Sequence, residues 1–256
     1  MQSSQLLAET SYDGWMSDEI EAMSVPARVG WTVGLMGGLM ALYLAVGWLR
    51  IRGGAVPAMA PTRMDEWVPF SLAWLPVYLF MLPMSWAPVC AAADKRVVRR
   101  WIVGVVLMYA VSVPVWLLWP VTVPRVPVAG GGFWVFILDL MRATDPPINC
   151  LPSMHVAVAT FAALLVRQVD RAVGTMLLLT LPLIWYATMA LDQHWFVDGL
   201  AGMLLALGAT RATSWMVPAP LAAMVPLPRS AHACWLAPFG AVLGGLYVLW
   251  ALGWTP

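Results

Sequence analysis

Residues 150–168 read CLPSMHVAVATFAALLVRQ, a short polar lead running into an apolar stretch with no charge before Arg167. Residues 192–217, DQHWFVDGLAGMLLALGATRATSWMV, repeat the plan. Each stretch is long and apolar enough to read as a membrane helix. Each also places a histidine, His155 or His194, where the apolar run begins. The second carries Asp198 four residues on, one helical turn away and therefore on the same face. The chain has 3 histidines in all, so two of them hold equivalent positions at helix starts. Ionisable groups close to hydrocarbon are costly, and where they occur they usually serve function.

The composition sets the same frame. Of 256 residues, 61% are hydrophobic and 11% charged, where a soluble domain carries about one quarter charged residues. The class this implies is an all-α, polytopic membrane protein. A net charge of +1 provides no electrostatic footprint for nucleic acid. Cys90, Cys150 and Cys234 form neither a CxxC pair nor zinc spacing, so they read as unpaired thiols and no metal-ligand cluster is expected. Many of the 16 tryptophans lie near the ends of apolar runs, where amphipathic rings sit at a bilayer surface.

With about 20 residues needed per span, helices are expected at about 29–49, 67–91, 101–122, 153–168, 173–191, 196–217 and 234–254. The reading is a bundle of seven spans, the last of them C-terminal. It divides the chain into an acidic interfacial segment (1–28, helical from about Ser17), a catalytic membrane domain (29–217), and a linker with the last span (218–256). The first segment lacks the basic start and early apolar core of a signal peptide. Gly30, Gly34 and Gly38 recur at a four-residue spacing that lets helices approach closely. Packing within one subunit is the expected use, a homo-oligomer face the alternative. Pro69, Pro76 and Pro83 should kink the second span.

Arg50, Arg52, Arg63, Arg125 and Arg142 fall on one side of this topology. Arg28, Lys95, Arg96, Arg99, Arg100, Arg167, Arg171, Arg211 and Arg229 fall on the other. The excess marks the second side as cytoplasmic. The N-terminus is then cytoplasmic, and both histidine motifs face the periplasm of a bacterial inner membrane, or a lumen. Cys150, on the same side, should be open to a membrane-impermeant thiol reagent.

Two helix N-termini converging on one side attract anions through free N–H groups and the helix dipole. Asp198 can hold one ring nitrogen of His194 and leave the other free to attack phosphorus. His155 can protonate the departing oxygen. The pair reads as a catalytic dyad for a phosphate ester. Asp192 reads as a cap of the sixth helix, with tuning of His194 the alternative. Asp139 and Asp145 lie in the 123–152 connection, which should contain an interfacial helix near 133–141 and form part of a lid. His232 reads as structural.

Pro152-Ser153-Met154-His155, followed by His194-Trp195-Phe196-Val197-Asp198 with Gly199 and Gly202, resembles the second and third signature motifs of the type-2 phosphatidic acid phosphatase superfamily. Pro120-Val121-Thr122-Val123-Pro124-Arg125, with Asn149, is similar to the subgroup of inositol phosphorylceramide synthases and related bacterial proteins. The resemblance spans Pro120 to Gly202. It implies a six-helix core with the site between spans, a phosphohistidine on His194, His155 as acid, a lipid phosphate or phospholipid substrate in the bilayer, and neither metal nor cofactor.

Two departures stand out. The superfamily's first motif, a lysine seven residues before an Arg-Pro pair, is absent. The Ser-Arg pair of the third motif would fall at Ala187 and Thr188. Positive charge for the phosphate must come from elsewhere. Arg125 is the first candidate and Arg142 the second, the latter otherwise a solvated loop charge. Ser153 and Asn149 are further hydrogen-bond donors. The function expected is a membrane lipid phosphatase. A phosphotransferase with a polyol or lipid hydroxyl as acceptor shares its first half-reaction. A non-catalytic lipid-binding or transport protein is the reading of another class, supported by the missing arginine.

Overall fold

A computed structural model describes residues 23–54, 56–91, 94–145, 147–218 and 233–255. Most of the expected acidic segment, including its helix start at Ser17, lies outside them, as does His232. Every regular element among the described residues is a helix. The chain is the all-α membrane protein that its composition requires.

Helix α1 (Val25–Arg52) starts at Ser24, whose hydroxyl accepts the Ala27 N–H, with Pro26 in the first turn where its missing donor costs nothing. The second apolar segment, expected as one kinked span, is a run of short helices interrupted at Phe80 and Trp86 after a non-helical stretch at 67–71. α2 (Arg63–Glu66) is followed by a 3-10 turn (Leu72–Trp74), then α3 (Leu75–Leu79), α4 (Met81–Ser85) and α5 (Ala87–Ala91). Pro69, Pro76 and Pro83 each remove a backbone donor and crowd the preceding turn, so the ladder restarts instead of continuing. α6 (Lys95–Leu118) begins at Asp94, which caps the Arg96 N–H. It ends just before Trp119-Pro120, because the residue before a proline is pushed out of the helical region. α7 (Phe133–Thr144) is the short helix expected in the 123–152 connection. α8 (Met154–Val169), α9 (Arg171–Ala190), α10 (Phe196–Met216) and α11 (Ala233–Ala251) complete the chain.

By length and composition α1, α6 and α9 can cross a membrane, with shorter apolar helical stretches at Leu72–Ser85, Met154–Val169 and Leu236–Ala251. α8 is the central helix, packed against α4, α5, α6, α9 and α10. Its buried Ala157, Ala159, Ala162 and Ala163 are small enough for neighbours to come close on several faces. α11 leans on α4, α5 and α7.

Three expectations fail here. A Cβ added at Gly30, Gly34 or Gly38 would meet nothing within 4 Å, so among the described residues the glycine stripe packs against no neighbour. α1 meets the core through Tyr43 and Val46 instead. Cys90 is disulfide-bonded and not a free thiol. Cys150 is free but buried, at 3% exposure. Burial first, then the nearby carboxylates of Asp198 and Asp145, push its thiol far above the usual range. It is not open to an impermeant reagent.

The functional end of the bundle is roofed by extended chain. Ala58 bridges Thr122 and Val121 bridges Asn149, both in parallel. Trp195 Nε1 donates to the Met59 carbonyl at 2.9 Å. The Lys95–Arg100 run begins α6 at the opposite end, about 36 Å away for a helix of 24 residues.

Candidate active site

His155 sits in the first turn of α8, and His194 two residues before α10. What brings them together is the docking of the two helix starts. The Ser153 N–H donates to the Asp198 carbonyl at 3.0 Å. A Cβ on Gly202 would run into the Ser153 carbonyl, and one on Gly199 into the Trp185 indole nitrogen. Gly202 is there because two backbones approach, and Gly199 because the Trp185 ring packs against its Cα.

The two imidazoles are in direct contact, with His155 Nδ1 2.8 Å from His194 Nε2. On the far side of His194, Nδ1 lies 3.6 Å from Asp198 Oδ2, an ion-pair distance longer than a hydrogen bond. Both residues are buried, at 3% and 0% exposure. His194 Nδ1 and Asp198 Oδ1 have no hydrogen-bond partner. Asp198 Oδ2 accepts the Trp195 N–H at 2.8 Å. The His194 loop is pinned from below, since the Thr188 carbonyl accepts the N–H groups of both Gln193 and His194.

A third side chain completes the row. The Tyr78 hydroxyl lies 2.7 Å from His155 Nε2, making a continuous chain Tyr78–His155–His194 with Asp198 at its end. Nothing in the sequence marks Tyr78, a lone tyrosine inside the proline-broken segment. Gln193 and Asp145 were likewise not singled out as site residues.

Arg125 reaches this site. Its guanidinium donates to the Gln193 Oε1 at 3.0 Å and to the Asp145 carbonyl at 2.8 Å, and pairs with the Asp145 carboxylate at 3.4 Å. It lies close enough to act electrostatically on both His155 and Tyr78, and its Nε is buried without a partner. Burial raises the proton affinity of Asp145, against which Arg125 and the Tyr43 hydroxyl favour the carboxylate.

The other expected phosphate ligands are elsewhere engaged. Arg142 is no solvated charge: it donates to the Val126 carbonyl at 2.6 Å and the Leu191 carbonyl at 3.3 Å, and faces Asp192 at 3.7 Å. Ser153 is wholly buried and caps α8 through the Val156 N–H. Asn149 donates to the Tyr43 carbonyl at 2.7 Å, leaving a buried Oδ1 unpaired. Asp192 does not cap α10. It takes the Val126 N–H at 3.0 Å in a left-handed turn (φ 55), and burial raises its proton affinity. The α10 start is capped by Asp198 and by Asp65, whose Oδ1 accepts the Phe196 N–H at 2.6 Å. Two carboxylates thus occupy donors expected to face an anion.

One grouping runs against the expectation of no metal-ligand cluster. Donor atoms of Cys150, His194 and Asp198, all buried, lie within 4.8 Å of one another.

Together these features define an all-α membrane protein with two facing imidazoles and a carboxylate behind one of them. The sequence profile of the PAP2 superfamily matches residues 55–212, and the chain belongs to that superfamily. Membership carries phosphatase or phosphotransferase chemistry on phosphate esters. No curated protein and no solved structure matches the chain.

Proposed function

We propose that this protein is an integral-membrane lipid phosphatase that cleaves a lipid phosphate ester through a phosphohistidine on His194. The observation that carries the reading is the 2.8 Å contact between His155 Nδ1 and His194 Nε2, with Asp198 on the other face of His194.

The network supports one assignment of protons. Asp198 favours the hydrogen on His194 Nδ1, so Nε2 carries the lone pair and accepts from His155 Nδ1–H. His155 Nε2 then accepts from the Tyr78 hydroxyl. A phosphate entering between the rings meets a nucleophile on one side and an acid on the other. The ester enters as its monoanion and gives its acidic proton to His155 Nε2, whose N–H then donates to the Tyr78 oxygen. His194 Nε2 attacks phosphorus as the P–O bond to the lipid breaks. The Nδ1 proton of the His155 imidazolium goes to the leaving oxygen, which leaves His155 neutral. Asp198 stabilises the phosphorylated imidazolium. Water then attacks phosphorus, His155 accepts its proton, and the P–N bond breaks to release phosphate. Arg125 is the fixed cation for the transferring group. Gln193 and Asp145 position it.

A lipid substrate fits the surroundings. Trp67, Leu118 and Trp119 stand 72%, 85% and 70% exposed at this end of the bundle, an apolar rim on which a lipid can approach from the bilayer. The Lys95–Arg100 run at the opposite end supports a cytoplasmic N-terminus and an extracytoplasmic site. Residues 29–217 are the catalytic membrane domain in this reading, with 218–256 appended to it. A polyol or lipid hydroxyl in place of water would make the same site a phosphotransferase; the Pro120–Arg125 stretch and Asn149 favour that alternative.

The test is purified protein incubated with lipid phosphates and phospholipids, with and without polyols. Free phosphate and new lipid products are both measured, and an acid-labile phosphoprotein is trapped by rapid quench. Phosphate release with no trapped intermediate, undiminished in His194→Ala, would refute the mechanism.

A further inference from the structure

The nucleophile's supporting face contains more than a carboxylate. Cys150, brought in by the segment that bridges Val121, contributes a free thiol, and its sulfur shares a space of 4.8 Å with donor atoms of His194 and Asp198. His194 Nδ1 and Asp198 Oδ1 are both buried and both without a hydrogen-bond partner, which is costly for polar atoms and unusual in a folded interior. The thiol itself makes a long contact of 3.5 Å to the Pro147 carbonyl and meets the Val123 backbone. Three donors of different kinds therefore face one another, two of them unsatisfied.

We propose that Cys150, His194 and Asp198 form a binding site for a thiophilic divalent cation, of which Zn²⁺ is the type, and that filling it silences the histidine pair. The second half rests on the reading of His194 as nucleophile. The donor set decides the ion class. Thiolate, imidazole and carboxylate together suit zinc, cadmium or cobalt, whereas magnesium and calcium prefer oxygen alone. Ligand bonds of about 2.0–2.3 Å in a tetrahedron place donors roughly 3.3–3.8 Å apart, so contraction by about 1 Å from the observed spacing closes the site. His155 holds His194 Nε2, which leaves Nδ1 as the ligating nitrogen. On binding, a metal–sulfur bond forms and the thiol proton leaves to solvent. The His194 proton moves from Nδ1 to Nε2, which now donates to His155 Nδ1, while His155 carries its own proton on Nε2 toward Tyr78. The ion takes the freed Nδ1 lone pair and draws Asp198 into its own shell. His194 loses the carboxylate that would stabilise its imidazolium and gains a cation beside it. Its Nε2 becomes a poorer nucleophile.

Cobalt is the probe, because a thiolate-to-metal absorption band reports Cys150 directly and needs no turnover. Wild-type protein in detergent should bind one Co²⁺ with that band, and Zn²⁺ should bleach it at one equivalent. Cys150→Ala and Cys150→Ser should lack it. In the phosphatase assay Zn²⁺ should inhibit, EDTA should restore full turnover, and Mg²⁺ should do nothing. Each cysteine variant, compared with its own metal-free rate, should need on the order of 100-fold more Zn²⁺, since even outer-shell changes cost 10–100-fold in affinity. Absence of the band in wild type, or equal zinc sensitivity in wild type and both variants, overturns the site. A band in a protein without turnover leaves the site standing and removes the phosphatase reading instead.

Discussion

Tyr78→Phe deletes one oxygen from a buried residue and isolates one link of the proposed proton arrangement. The hydroxyl lies 2.7 Å from His155 Nε2, and the ring is 2% exposed, so no water replaces it. Losing a net hydrogen bond costs about 0.5–1.5 kcal/mol, and a buried nitrogen left unsatisfied costs about 1–3 kcal/mol. That penalty falls on the imidazolium that protonates the leaving group, because its buried Nε2–H loses the Tyr78 oxygen as acceptor. At 1.36 kcal/mol per factor of ten, kcat for an alkyl phosphate should fall about 10–100-fold with KM little changed. An aryl phosphate with an acidic leaving group needs little protonation and should lose less than about threefold. The assay compares kcat and KM on both substrates for wild type, Tyr78→Phe, His155→Ala and the double variant. Once His155 is gone, removing the hydroxyl should do nothing more. Equal losses on both substrates, or additive losses in the double variant, would show that Tyr78 merely packs.

Other perturbations separate the remaining roles. His194→Ala should abolish turnover, whereas His155→Ala should still transfer from substrates with good leaving groups; rates on an aryl phosphate decide it. Arg125→Ala should lower kcat by about two to three orders of magnitude, as for a lost electrostatic stabiliser, with Arg125→Lys recovering only part because it lacks the fork. Arg142→Ala should cost less than about tenfold in kcat but lower the Tm, since it ties Val126 and Leu191 together; a dead Arg142→Ala beside a normal Arg125→Ala would reverse the two roles. Gly202→Ala forces a methyl onto the Ser153 carbonyl and should destabilise by about 1–3 kcal/mol, and a variant with unchanged Tm and turnover would refute the close approach as the reason for glycine. For orientation, Gly131→Cys places a thiol on an exposed loop with open space around it; an impermeant reagent should label it in intact cells, and labelling only after permeabilisation would put the site in the cytoplasm.

What the sequence reveals and what it hides divide along the range of the interactions. The helix starts at His155 and His194, the short helix from Phe133 and the outer limits of most spans follow from local signals: an apolar run, a cap, a proline just outside. The His194–Asp198 pair is local too, one turn of one helix. Tyr78 meets His155 across 77 residues and Arg125 meets Gln193 across 68, and no pattern near either residue announces the partner. The same holds for Cys150, whose place beside His194 depends on a bridge to Val121. Ser153 and Asn149 fail differently. A serine before a helix offers the same signal whether its hydroxyl faces a phosphate or a backbone N–H, and here it faces the N–H. The glycine stripe of α1 shows the limit of spacing rules: three small residues on one face permit a close neighbour without supplying one.

The missing third-motif arginine shows how the site is rebuilt. Thr188 stands where that cation is expected, and it is fully buried with its hydroxyl turned onto the Trp185 carbonyl at 2.7 Å. Its carbonyl holds Gln193 and His194 N–H groups, so the position shapes the loop that presents His194. Gln193, held through its own carbonyl-facing amide at 3.0 Å from Leu191, turns its Oε1 to Arg125. On the proposed reading, the charge that a helix α9 residue would supply comes instead from Arg125 in the 120–125 connection, held by a neutral side chain next to His194 in sequence. A cation so placed carries a cost: without substrate it lies partly buried, and Asp145 neutralises it. An arriving phosphate dianion offers Arg125 more charge than one carboxylate and competes on favourable terms. The loss of one motif residue and the presence of a buried Arg–Asp pair are, on this account, two sides of one rearrangement. Arg125 and Asp145 should accordingly change together: the double Arg125→Ala, Asp145→Asn variant should be no less active than Arg125→Ala alone, because the carboxylate has no separate task once its cation is gone.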